Sequence, residues 1–310
     1  MTMRILAIAL AGALFGTAAC GAPASGESSG QLTIGMTVST MSNPYFMQFR
    51  DAAEAAALNS GARLTVTDAA NDAARQAGQI QGFTGRHMKA IIVNPVGSGG
   101  LGPAIRAAAR AGIPVIAADR SISGAGVTQT LTSDNLAGGR LGAQELARQI
   151  GGKGEVVVLQ GTAGTSASRL RGKGFTEAIA AYPEIKVVAR QRADFNRAKG
   201  VEAMTRLLRS HPGIDGVFAE NDEMALGAVQ ALGPRAGTHV KVVGYDGTPS
   251  GLRAVRAGTM AATVAQLPRV LGWRAVNDAI KAARHQIIPT TVAVPVKVAN
   301  KGNVREFWSF

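Results

Sequence analysis

An acid and a base stand side by side at Asp119-Arg120, directly after the apolar run Ile113 to Ala118. A short run of that kind reads as a strand buried on both faces of a parallel sheet. The crevice beyond the carboxyl ends of such strands is where open α/β sheets bind ligands. A carboxylate supplies acceptors and a guanidinium forked donors, which suits a ligand covered in hydroxyls; alone, the pair reads equally well as a strand-end salt bridge. The same kinds of side chain recur past other predicted strand ends. Asn43, Tyr45 and Phe46 follow the first strand and Asn94 the third. Arg169 and Arg171, Asp194-Phe195, Asn221-Asp222, Asp246 and Gln266 are their counterparts in the second half. Each has a plainer role open to it: N-cap for Asn43 and Asn221, turn former for Asp246 ahead of Gly247, exposed helix face for Arg169. Together they converge on one cleft. Carboxylates accept from hydroxyls, Arg and amides donate, and aromatic faces pack on ring C–H groups, which describes a pocket for a neutral sugar.

The elements that must position these side chains alternate regularly from Leu32 onward. Strands are expected at Leu32 to Val38, Arg63 to Asp68, Ala90 to Asn94 and Ile113 to Ala118, with helical stretches such as Tyr45 to Ser60 between them. After a polar-apolar alternation at Thr128 to Ser133, a helix opens at Asp134, a good N-cap, and the chain crosses to a second lobe. The cycle restarts with Glu155 to Gln160, Lys186 to Gln191, Ile214 to Ala219, Val240 to Tyr245 and Ala261 to Ala265. Leu267 to Arg284 reads as one more helix and Thr291 to Ala299 as a Val-rich strand, so further crossings are expected near Gln266 and Pro295. The fold class is α/β, two similar doubly wound parallel-sheet lobes joined by a multi-strand hinge. Their expected limits are 32–133 with 267–295, and 134–266 with 296–310.

The 310 residues, 46% hydrophobic and 17% charged, suffice for two domains with real cores. The net charge of +13 raises nucleic acid or an anionic membrane as partners. The Arg residues are scattered singly along helical stretches, however, which reads as a solvated face and not a nucleic-acid patch. Met1 to Arg4 and the apolar Ile5 to Gly16 read as an export signal, too short to span a bilayer as a mature helix. Thr17-Ala18-Ala19-Cys20 carries the one cysteine of the chain and resembles the lipobox of bacterial lipoproteins, with Thr17 where that motif usually has Leu. The resemblance implies a signal over residues 1–20, lipidation at Cys20, and a Ser, Gly and Ala-rich linker over 21–31. The mature protein would then stand in the periplasm or on the outer face of the cell membrane. Cleavage into a soluble exported protein is the alternative.

Some motifs mislead. Gly97-Ser-Gly-Gly-Leu-Gly102 spells the dinucleotide fingerprint, but Asn94-Pro95 separates it from its strand, which is the third and not the first. It reads as a Gly-rich loop, and no cofactor is expected. His87, His211, His239 and His285 lack metal-ligand spacing. Gly172-Lys173 is followed by Gly where a phosphate-binding loop needs Ser or Thr. Ser166 and Ser168 lack a nucleophile-elbow frame.

Long stretches carry a family resemblance: Ser42-Asn-Pro-Tyr-Phe46, Asn94-Pro95, Ile113-Pro-Val-Ile116 through Asp119-Arg120, Ser133-Asp-Asn135, Leu159 to Ala167, Arg171-Gly172, Ala193-Asp-Phe195, Asn221 to Gly227, Gly244 to Pro249 and Ala265 to Pro268. Through them the sequence resembles the type I periplasmic sugar-binding proteins, in their ribose-binding branch, across nearly the whole mature chain. The resemblance implies a binding protein of an ABC-type sugar importer that closes on one monosaccharide. Its ring is stacked by Tyr45, Phe46 and Phe195 and bonded by Asn43, Asn94, Asp119, Arg120, Arg171, Asn221, Asp246 and Gln266. It also implies a monomer that serves a membrane permease and can be read by a chemoreceptor, without catalysis. Ribose is the expected ligand, with allose, xylose and galactose as alternatives. Tyr45 stands where the family has Phe, placing a phenol at the pocket edge; Glu220 stands where it has Gln; Asn300 to Phe310 has no placed counterpart. Two other classes compete. A glycoside-processing enzyme would use Asp119 and Asp246 as paired carboxylates, but two closed lobes leave little room for a polymer. A lac-repressor-like regulator would need a helix-turn-helix where the export signal lies.

Overall fold

A computed structural model describes residues 31–307. The export signal, Cys20 and most of the linker expected over 21–31 lie outside the described residues, as do the last three of the carboxyl-terminal tail. The described residues form one compact unit. Its first half runs β1 (Thr33–Val38), α1 (Pro44–Asn59), β2 (Arg63–Asp68), α2 (Ala73–Gly85), β3 (Ala90–Val93), α3 (Gly102–Arg110), β4 (Val115–Ala118) and β5 (Gln129–Ser133). The second half runs α4 (Asn135–Gln149), β6 (Gly154–Gln160), α5 (Ser166–Ile179), β7 (Ile185–Arg192), α6 (Arg197–Ser210), β8 (Gly216–Ala219), α7 (Asp222–Leu232), β9 (Lys241–Asp246), α8 (Pro249–Ala257) and β10 (Ala262–Ala265). Then come α9 (Pro268–Ala283), β11 (Thr291–Val294) and β12 (Lys297–Asn300).

Two six-stranded sheets result, ordered β11-β5-β4-β3-β1-β2 and β12-β10-β9-β8-β6-β7. The same winding therefore occurs twice. Central strands such as β3, Ala-Ile-Ile-Val, are buried along their whole length. Each such aliphatic side chain withdrawn from water contributes about 1.5–3 kcal/mol. The edge strand β2, Arg-Leu-Thr-Val-Thr-Asp, is only half buried and carries its charges at its ends. Apolar cores lie on both faces of each sheet, formed in the first by α1 and α9 on one side and α2 and α3 on the other. In the second, α4 and α5 cover one side and α6 to α8 the other.

The chain passes between the sheets at three places: Ser133 to Asn135, Ala265 to Pro268, and Val294 to Lys297. The single strand expected over Thr291 to Ala299 is two strands. Pro295, without an amide proton, breaks the ladder; β11 lies parallel to β5 in one sheet and β12 antiparallel to β10 in the other. The antiparallel β12 departs from an all-parallel second sheet. Likewise Ile113 and Pro114 precede β4, and Asn94 follows β3. Thr128 to Ser133 is mostly β5 itself, an integral strand of the first sheet, with the passage just beyond it. There Asp134 caps α4 by accepting from the Ala137 amide at 3.0 Å.

Candidate functional site

In both sheets the strand order reverses between the first and third strands of the winding, and loops beyond such a reversal leave a crevice. Helix caps put side chains into it. The Asn43 side chain accepts from the Tyr45 amide at 2.9 Å and Pro44 pre-sets the first turn, so α1 opens with Tyr45 and Phe46 turned inward, each 3% exposed. Asn221 caps α7 in the same way, accepting from the Met224 amide at 2.9 Å. The plainer N-cap role of both residues is real and coexists with their place at the cleft.

Asp119 ends β4 with a left-handed backbone, φ 68°. Its carboxylate accepts from the Tyr45 phenol at 2.8 Å and from the Asn94 amide at 3.1 Å. Arg120 donates to the Pro95 carbonyl at 3.0 Å, and its Nε, 3.7 Å from the Asp119 carboxylate, is buried without a hydrogen-bond partner. The Arg120 guanidinium carbon lies 5.3 Å from the Phe46 ring centre and 5.5 Å from that of Phe195. The strand-end salt bridge is thus at most a loose one.

From the other side, α5 carries Arg171. Gly139 on α4 and Gly174 on α5 let these helices touch backbone to backbone, since a Cβ at either would overlap the other helix's main chain. Arg171 donates to the Asn135 side chain at 2.8 Å, the Glu220 carbonyl at 2.6 Å and the Asp246 carboxylate at 3.3 Å. It stacks on Tyr245 at 3.7 Å. Gln266 donates to Asp246 at 2.7 Å, and Asn221 donates to the Phe195 carbonyl at 3.3 Å. Phe195 has φ 58° and Asp246 φ 118°. Non-glycine residues held there cost about 1–3 kcal/mol each and persist only where surroundings over-determine them, commonly at ligand sites. Gly161 is one such surrounding, because a Cβ there would overlap the Phe195 ring.

Ten of the eleven residues expected from the sequence line one cavity. Asn94 stands behind it, holding Asp119. Ala167 completes the lining; a methyl group offers no chemical signal by which the sequence could single it out. Supporting residues were also missed: Tyr245 beneath Arg171, and Asn135, which orients it. Arg169 is exposed on the far side of α5 and lines a different depression. Asp194 and Asp222 do not reach the cavity; Asp222 instead ties down Thr248 and Thr263. The Gly97 to Gly102 loop reaches across the cleft, Ser98 donating its amide proton to the Gly164 carbonyl at 2.8 Å. The phenol of Tyr45, expected at the pocket edge, lies inside.

The site holds two guanidiniums and two carboxyl groups. Burial pushes Asp246 well above the usual carboxyl range, Arg171 opposing it and the Asp222 and Asp119 charges adding to it. Burial, with Asp119 beside it, also raises the Tyr45 phenol, which stays a donor. Behind the cavity, burial lifts Glu220 to about 7 although the Gly161 amide and the Ser168 hydroxyl bond its Oε2. Among the described residues no group of three His, Cys, Asp or Glu side chains could hold a metal ion.

Comparison with known proteins bears on this geometry. The profile of the periplasmic binding protein domain matches residues 34–287. The chain is 42% identical over 269 residues to the ribose import binding protein of Escherichia coli K12, covering 87% of this chain and 90% of that one. An ABC transporter solute-binding protein of Actinobacillus succinogenes, solved with D-allose, superposes with a TM-score of 0.85 at 35% identity, over 89% of this chain and 100% of that one. One from Bacillus halodurans, solved with myo-inositol, gives 0.87 at 31%, over 92% and 99%.

Proposed function

The chain belongs to the periplasmic binding protein family, as a sugar-binding component of ABC-type importers, and from that premise we propose that it captures D-ribose between its two lobes and delivers it to a membrane permease. The observation that carries this reading is the cavity itself, in which both lobes contribute donors, acceptors and aromatic faces. Every hydroxyl of a sugar both donates and accepts, so it needs mixed partners. The unspent Arg120 Nε and the amides of Asn43 and Asn221 offer donors; Asp119, Asp246 and Gln266 offer acceptors. A cleft lined by side chains of both lobes suits one small ring, not an oligosaccharide.

The relatives support the same ligand class. One is named for ribose, and the solved structures hold allose and myo-inositol, all neutral polyols. The rings of Phe46 and Phe195 are placed to pack on ring C–H faces. With roughly ten hydrogen bonds netting about 0.5–1.5 kcal/mol each, closure supports sub-micromolar affinity after ordering costs. The three passages between the sheets form the hinge, with lobes of 32–133 plus 267–295 and 134–266 plus 296–310. The protein works as a monomer without catalysis, and Cys20 anchors it by lipid outside the cytoplasm. Isothermal titration against ribose, allose, xylose, galactose and glucose tests the reading. One-to-one binding with ribose tightest is expected, and no heat with any aldose overturns it. Release of nitrophenol from nitrophenyl glycosides would favour the enzyme instead.

A further inference from the structure

The Tyr45 hydroxyl stands between acceptors of the two lobes. It donates its single proton to Asp119 Oδ1 at 2.8 Å and stands 3.4 Å from Gln266 Oε1. Gln266 in turn donates to Asp246 at 2.7 Å, so a chain of polar atoms runs from the carboxylate of one lobe to that of the other through the phenol. Tyr45 is held rigidly: the Asn43 cap fixes its backbone, and its ring meets Phe46 edge-on, 5.2 Å between centres at 81°. With Tyr45 only 3% exposed, the oxygen cannot swing out of the cleft without repacking its ring.

A hydroxyl fixed between two acceptors does what a ligand hydroxyl would do there. It takes a lone pair of Asp119 and fills the gap before Gln266. The hydroxyls on a pyranose ring still find Arg120, Asn221 and Asp246 around the rest of the cavity. A hydroxymethyl group projecting beyond the ring needs both extra volume and an acceptor. The acceptor, and the space between Asp119 and Gln266, are what Tyr45 has used. Resting on the sugar reading above, we propose that the Tyr45 hydroxyl stands where the hydroxymethyl group of a hexopyranose would lie, so that the cleft takes pentopyranoses and rejects the hexoses that match them.

The test is titration calorimetry on wild type and Tyr45→Phe with three matched pairs, ribose and allose, xylose and glucose, L-arabinose and D-galactose. Within each pair the pyranoses differ only by the hydroxymethyl group. Wild type is expected to favour the pentose of the pair it binds by at least about tenfold, in the range by which a pocket discriminates small added groups. In Tyr45→Phe that preference should shrink about tenfold or more, through tighter hexose binding. Pentose binding by the variant itself reports an intact cleft. An unchanged ratio overturns the filter while leaving sugar binding in place. Loss of the pentose with no gain for the hexose overturns it too, making the phenol a ligand contact. If wild type binds no sugar, the reading of the site falls and the filter with it.

Discussion

Replacing Asp119 by Asn strikes the cleft at its most heavily bonded acceptor. The amide keeps the carboxylate's shape, and Asn tolerates the left-handed backbone at this position, φ 68°. Hydrogen-bond polarity is what changes. One oxygen accepts from the Tyr45 phenol at 2.8 Å and the other from the Asn94 amide at 3.1 Å. With its NH₂ toward Asn94 two donors meet, and with its NH₂ toward Tyr45 the phenol must turn its proton to Gln266 Oε1, 3.4 Å away. A buried group left unpaired costs about 1–3 kcal/mol. At roughly 2–4 °C per kcal/mol, the ligand-free melting temperature should fall about 2–12 °C. A ligand hydroxyl also loses a charged acceptor, about 1.5–3 kcal/mol, or roughly 10- to 150-fold in Kd. Titration with D-ribose at neutral pH measures the second effect and thermal unfolding the first. A variant that binds ribose within threefold of wild type would refute the placement of Asp119 among the ligand's partners, whatever its melting temperature.

Ser166→Ala removes the oxygen that accepts from the Ser121 amide across the cleft at 2.8 Å, a contact that touches no ligand. Losing about 1 kcal/mol of closed-state stability should weaken every sugar by roughly fivefold with the ranking unchanged, and a reordered ranking by calorimetry contradicts this. Glu220 keeps its proton to about pH 7 when folded but to only about 4.3 unfolded. Between those values the folded state binds the extra proton, so stability falls as pH rises through that window and stays lower above it, by about 4 kcal/mol. Glu220→Gln has no such proton to lose and should gain on wild type between pH 5 and pH 8 in urea unfolding; a constant difference refutes it. Cys20→Ser should move the protein from the membrane fraction to the soluble one, and a wild type already soluble outside the cytoplasm contradicts the anchor.

Much of the fold was legible because its signals are local. Fully apolar runs such as Ala90 to Val93, bounded by turn residues, read as central strands, and Asn43, Asp134 and Asn221 announce their helices by side-chain caps. Pro295 marked the passage that splits β11 from β12, although the sequence shows neither the antiparallel sense of β12 nor its partner β10, which tertiary pairing decides. Site residues were legible as polar groups past strand ends. Their depth was not. Asn94 has the right type and position, yet its amide is spent on Asp119 and the Ser39 backbone. The direction of the Tyr45 phenol depends on how α1 packs on α9, many residues away, and so reads from sequence only as an edge group.

A crystal structure grown with D-ribose tests the central claim most directly. The expected result is one sugar ring between the lobes, with hydroxyls on Asp119, Arg120, Asn221 and Asp246 and its faces toward Phe46 and Phe195. Density for ribose elsewhere, or a cleft that stays empty at saturating ribose, would contradict it.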